Sequence, residues 1–198
     1  MRMLQILVSH GADPNLLLSA GIFGSALAAA VVAGCNRSGD DLGAVKWLIE
    51  KGADPNLVLS AGYFGSALVT AAACGGIETV KFLVKKGADP NLLPCIGLYG
   101  SSLAAAAATG HEWITRFLVS HGANTSQLLS IGDYGSVPAA AAAAGNIDIL
   151  CFLVERGENP NLALSSGCFG SALAAGAARG SVALVGYLLE QGADPNLP

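Results

Sequence analysis

The sequence predicts an all-α solenoid of stacked helix-turn-helix units, with finger loops or short β-hairpins protruding between them. Three observations predict it. One phrase returns at a nearly fixed interval: GADPN at Gly11, Gly52, Gly87 and Gly192, weakened to GANTS at Gly122 and GENPN at Gly157. The intervals between those glycines are 41 residues once and 35 residues four times. A second phrase keeps step: FGSAL at Phe23 and Phe169, YFGSAL at Tyr63, YGSSL at Tyr99 and YGSVP at Tyr134. Apolar residues at helical spacing lie between the phrases. Periods of this length belong to units that bury their apolar side only against a neighbour.

The whole chain, 1–198, reads as a single array: a partial unit over 1–23, then units over about 24–64, 65–99, 100–134, 135–169 and 170–198, the last with an incomplete finger. In the partial unit, Leu4, Ile6 and Leu7 align with the second helix of later units, so an orphan helix is expected near Met3 to Ser9. The same start, MRMLQILVSH, lacks the longer apolar run and cleavage region of a signal peptide. In the next unit, CNRSGDDLG lies between Gly34 and Ala44, about six residues more than its counterparts. A polar loop at a joint is the cheapest place for an insertion, and either a contact site or ordinary loop drift accounts for it.

The unit from Ser66 to Gly87 shows the pattern plainly. The Ser66 oxygen can accept a backbone N–H left unpaired at a helix start. Leu68 and the alanines to Ala73 form a short helix, and small Cβ atoms let neighbouring helices approach closely. Gly75 and Gly76 end it. A second helix runs from about Glu78 to Lys86, with Val80, Leu83 and Val84 on its apolar face. Gly87 supplies a left-handed stop, and Asp89, Pro90 and Asn91 suit a turn. Across units, Leu48, Leu83, Leu118, Leu153 and Leu188 form one ladder. Trp47, Phe82, Phe117, Phe152 and Tyr187 form a second, read as core rather than as a ligand box.

Composition narrows the function. Hydrophobic residues make up 53 % and charged residues 12 %, against roughly 25 % charged in ordinary soluble domains. With a formal net charge of -4 and no basic run, the chain lacks the means to neutralise phosphates, which argues against nucleic acid. No window of 18 apolar residues escapes a polar interruption, so no transmembrane segment is expected. Cys35, Cys74, Cys95, Cys151 and Cys168 show no zinc-type spacing and read as small hydrophobes in a reducing compartment. A cytoplasmic location follows, with the nucleus left open. No cofactor is expected: the glycine-rich stretches lack a phosphate loop. Catalysis is not expected either. His10, His111 and His121 stand beside no recurring nucleophile with an orienting acid, and Asp13, Asp54, Asp89 and Asp194 repeat for turn geometry.

Taken together, the recurring motifs resemble the ankyrin repeat over nearly the whole chain. The ankyrin frame runs G-x-T-P-L-H-x-A-A-x-x-G-H, then an apolar helix closing on L-L-x-x-G-A-D-x-N. Ser25, Ser66, Ser101, Ser136 and Ser171 take the threonine place, and Leu27, Leu68, Leu103 and Leu173 the leucine place. Gly34, Gly75, Gly110, Gly145 and Gly180 take the glycine closing the first helix, and His111 and Asn146 the residue after it. Three departures stand out. The histidine becomes Ala28, Val69, Ala104, Ala139 and Ala174; Pro138 replaces one leucine, tolerable in a first turn; and the units are 35 residues long, against the 33 usual in ankyrins. The finger form resembles ankyrin arrays in fungi, often attached to nucleotide-binding sensor domains, although no such domain is present here.

The resemblance implies a protein partner, of unspecified identity, held by the fingers and the exposed side of the first helices. Carried over residue by residue, the finger places are Ile22, Tyr63, Leu98, Asp133 and Cys168, helped by Val32, Cys74, Thr109 and Arg179 on the helices. The finger places change character between units, whereas the adjacent Phe23, Phe64, Tyr99, Tyr134 and Phe169 stay aromatic and are expected to pack finger on finger. The finger leucines, Leu16 to Leu18, Leu57 to Leu59, Leu92 to Leu93 and Leu128 to Leu129, leave two readings: an exposed binding patch, or a loop that folds back and buries them. Two function classes follow, non-catalytic recognition or scaffolding, and a structural spacer or sensor arm of a larger protein. Apolar residues at both ends, Met3, Leu4, Ile6 and Leu7 and then Val182, Val185 and Leu189, predict a longer array, a truncated product, or self-association through uncapped ends.

Overall fold

The structure, a computed structural model, describes residue 6 and residues 8–35 and 41–197. Ten helices have defined bounds among them. They pair as α1 (Ala26–Cys35) with α2 (Gly43–Glu50), α3 (Ala67–Cys74) with α4 (Ile77–Lys85), α5 (Ser102–Thr109) with α6 (Glu112–Ser120), α7 (Val137–Ala144) with α8 (Ile147–Glu155), and α9 (Ala172–Arg179) with α10 (Val182–Glu190). There is no strand among the described residues, so the fingers are loops. Ile6, Val8 and Ser9 are helical, in keeping with an orphan helix; Met3, Leu4 and Leu7 lie outside the described residues, as does 36–40 of the insertion.

Each first helix starts on a serine. Ser25, Ser66, Ser101, Ser136 and Ser171 accept, through Oγ, the N–H of the residue three further on, at 3.1–3.2 Å. That is the same bond in five places, satisfying a donor the helix itself cannot. Those N–H groups belong to Ala28, Val69, Ala104, Ala139 and Ala174, the positions where the frame's histidine is missing. Pro138 stands in the first turn of α7 and is buried, so the substitution is absorbed without a break.

Successive first helices pack side by side, α1 on α3, α3 on α5, α5 on α7 and α7 on α9. Alanine permits this, since Ala71, Ala105, Ala106, Ala140, Ala141 and Ala175 are fully buried at the contact. Behind them the second helices present Leu48, Leu83, Leu118, Leu153 and Leu188, all fully buried. Each such leucine contributes about 1.5–3 kcal/mol relative to exposure. The aromatic ladder departs from the expectation of core. Trp47, Phe82, Phe117 and Tyr187 are only half-buried at its edge, and Phe152 alone is buried. Cations lie over three of its rings: the Arg116 and Arg156 guanidiniums 4.3 and 4.8 Å from the Phe152 ring centre, Lys86 5.7 Å from that of Phe82, and Lys51 6.0 Å from that of Trp47.

One helix stop differs from expectation. Gly75, Gly110, Gly145 and Gly180 end their helices in the left-handed conformation, with φ of 76–79°. Gly34 does not: α1 runs through it to Cys35, so it is ten residues long where its siblings are eight. The chain returns over it after the insertion, and the Asp41 N–H donates to the Gly34 carbonyl at 3.2 Å.

Candidate protein-binding surface

The turns after the second helices are tied to one another by an asparagine clamp. The Asn56 side chain donates to the Gly87 carbonyl at 2.8 Å and accepts the Asp89 N–H at 2.7 Å. Asn15 holds Gly52 and Asp54 in the same way, Asn91 holds Gly122 and Asn124, and Asn161 holds Gly192 and Asp194. Within each turn, the Asp or Asn side chain accepts the N–H two residues on, as Asp54 does from Asn56 at 2.8 Å.

Beyond the turns, each finger folds back on itself. Leu18, Leu59, Leu129 and Leu164 donate their N–H to the carbonyls of Gly24, Gly65, Gly135 and Gly170 at 2.8–2.9 Å. Pro94 holds that register position in the third finger and has no N–H to give; its buried ring fills the place of the leucine.

A second ladder links finger to finger. The Tyr63 N–H donates to Ile22 O at 3.3 Å, Leu98 to Tyr63 O at 3.0 Å, Asp133 to Leu98 O at 3.0 Å, and Cys168 to Asp133 O at 2.8 Å. These are the five finger positions singled out from the sequence, and the ladder accounts for their variability. Only backbone is needed for it, so the side chains carry no structural constraint from it. The glycine before each residue is constrained. Gly132 has φ 83°, and a Cβ there would meet Leu98 O at 2.7 Å.

The five side chains are exposed, Tyr63 by 55 %. Ile22, Tyr63 and Leu98 give an apolar stretch that becomes polar at Asp133 and Cys168. The adjacent aromatics are half-buried and stacked, Phe64 on Tyr99 at 6.4 Å and Tyr99 on Tyr134 at 6.2 Å between ring centres. Burial, then the neighbouring Cys74 and Asp133, push the Tyr99 phenol above its ordinary pKa. Burial, then Tyr99, Asp133 and Cys168, do the same to Tyr134. Tyr99 thus lies near both a first-helix residue and a finger residue of the row.

On the helices, Val32, Cys74 and Thr109 are half-buried and Arg179 is exposed. The Thr109 hydroxyl is committed to the Ala105 carbonyl at 2.7 Å. Arg179 lies back over the preceding unit, its Nε 3.3 Å from where a Cβ on Gly145 would stand. The finger leucines divide between the two readings. Leu59 and Leu129 are buried, whereas Leu16, Leu17, Leu18, Leu93 and Leu128 are exposed.

One exposed residue was not singled out by the sequence. Trp113 on α6 is 80 % exposed, beside a groove of about 500 Å³ lined by Ile77, Lys81, Arg116 and Phe117. The signal was there in register: Glu78 and Asp148 hold the same place in α4 and α8. Lys46, Lys51, Lys81, Lys85, Lys86, Arg116 and Arg156 all sit on second helices or their caps, leaving the finger row without them. No described helix is long and apolar enough to cross a membrane.

The comparisons with known proteins agree with this geometry. A family model described as ankyrin repeats (3 copies) matches residues 1–94 and 27–128. Among solved structures, the human ASB11 ankyrin repeat domain superposes with a TM-score of 0.72 at 22% identity, over 96% of this chain and 78% of that one. At that identity the likeness speaks for the fold alone. No curated protein sequence matches the chain. The family model spans residues 1–128, more than half of the sequence: the chain belongs to the ankyrin-repeat family.

Proposed function

We propose that this chain is a non-catalytic recognition or scaffolding module that holds a protein partner along the finger row and the adjoining side of the first helices. The observation that carries the reading is the separation of duties in the fingers. Backbone bonds and stacked aromatics hold the row in shape, while Ile22, Tyr63, Leu98, Asp133 and Cys168 extend from it without structural duty. Tyr63 is the main anchor, because a rigid ring brings large contact area at small entropic cost and its hydroxyl can meet a polar group. Arg179, exposed at the far end, orients an acidic group of the partner. Five free cysteines accord with a reducing compartment, the cytoplasm.

The test is affinity capture from lysate with the intact chain and with Tyr63→Ala/Leu98→Ala, each checked by circular dichroism and melting. Specific partners lost by the double variant, with fold and melting temperature unchanged, support the assigned surface. Equal recovery by both proteins sinks it, and the absence of any specific partner favours a spacer.

A further inference from the structure

The longer α1 brings two thiols together. In the sibling units, the residue after the stop glycine caps the second helix; His111 and Asn146 hold that place. Since α1 continues through Gly34, its counterpart Cys35 is the last residue of the helix instead. The neighbouring α3, packed against α1, ends on Cys74, and the two side chains lie within interacting reach of each other. Both are half-buried. Thus the one place where the repeat length departs from 35 is also the place where two cysteines of adjacent units meet.

We propose that Cys35 and Cys74 are a peroxide-responsive pair that closes into a reversible disulfide between the first helices of adjacent units. Cys74 is the attacking sulfur, as the neighbouring Cys35 side chain stabilises its thiolate and holds its pKa below the ordinary thiol value, against the opposing effect of burial. The Cys74 thiolate attacks one oxygen of hydrogen peroxide; the O–O bond breaks, Cys74 becomes a sulfenic acid, and the departing hydroxide takes a proton to become water. Cys35 sulfur then attacks the Cys74 sulfur, the S–O bond breaks, and the hydroxyl leaves with the Cys35 proton as a second water. Two thiols and one peroxide give one disulfide and two waters. A dithiol reductant reverses it by exchange. The link would tether α1 to α3 directly.

The full chain is treated with hydrogen peroxide, its free thiols are blocked, and non-reduced peptides are mapped by mass spectrometry. The expected product has lost two hydrogens, joins Cys35 to Cys74, keeps its helical dichroism, and reverts with dithiothreitol. In Cys35→Ser the link is absent and Cys74 accumulates as a sulfenic acid that dimedone traps. The proposal is overturned if Cys35 and Cys74 stay open to alkylation while exposed Cys95 and Cys168 oxidise, or if links from Cys74 to Cys95, Cys151 and Cys168 form as readily as the link to Cys35.

Discussion

Ser126 stands where Asn15, Asn56, Asn91 and Asn161 stand in the other clamps, and it cannot reach two backbone groups as they do. The next turn compensates. Glu158 replaces the alanine of Ala53, Ala88, Ala123 and Ala193, is buried, and accepts the Ser126 hydroxyl at 2.7 Å. Two departures from the repeat in consecutive turns are therefore one interaction. Ser126→Ala should cost about 1–3 kcal/mol, the penalty of a buried acceptor deprived of its donor, measured by urea unfolding. The double change Ser126→Asn/Glu158→Ala rebuilds the clamp used elsewhere and should return stability to the wild-type level or above. A double variant no more stable than Ser126→Ala would show that the two positions are not exchanging one tie for another. Both departures were legible as GANTS and GENPN, but only as weakened phrases. That they compensate one another required the partner across the joint, because a clamp between units leaves no periodicity within either unit.

At the scale of the element, the helices were legible from local causes: a serine at the start of each first helix, apolar residues at i, i+3 and i+4 in the second helices, and a glycine at or just after the end. The exception was α1. A stop glycine works by adopting positive φ, and the return of the chain over Gly34 keeps that residue helical instead. The later stops can be ranked by their surroundings. A Cβ on Gly75 would lie 2.6 Å from the His111 ring, whereas one on Gly180 meets nothing within 4 Å, and the two have φ of 78° and 76°. Gly180→Ala should therefore cost only the left-handed penalty, about 1–2 kcal/mol. Gly75→Ala should cost more, since the imidazole must also leave its place. Denaturant titration of the two single variants compares them directly, and equal losses would show that the His111 ring yields freely. The finger row varies in sequence from unit to unit, yet its ladder was not foreseen. A backbone bond between units is independent of side-chain type, so the residues that carry it look unconstrained.

For the molecule as a whole, stability is a sum over joints, and each joint is made of the same few contacts: alanine faces, a leucine ladder, a finger bond and a clamp. Coupling between units passes mainly through those contacts between neighbours, as in a linear stack. Asn91 ties the third complete turn to the fourth with two hydrogen bonds whose backbone partners, at Gly122 and Asn124, are exposed to water. Removing it leaves those groups hydrated, so the loss in that joint is modest, about 1–2 kcal/mol. Its effect on cooperativity should be larger than its effect on stability. The next joint toward the C-terminus already lacks an asparagine clamp, relying on Ser126 and Glu158, so two consecutive joints in the middle of the array would then be weak. Asn91→Ala should lower both the urea midpoint and the apparent m-value, as the flanking blocks begin to unfold separately. Leu98→Ala, in the same unit but exposed on the finger row, should change stability by no more than about 0.5 kcal/mol and leave the m-value alone. A fall in the midpoint of Asn91→Ala at constant m-value would mean that the clamps add stability without carrying the coupling, which would then rest on the packed alanine faces.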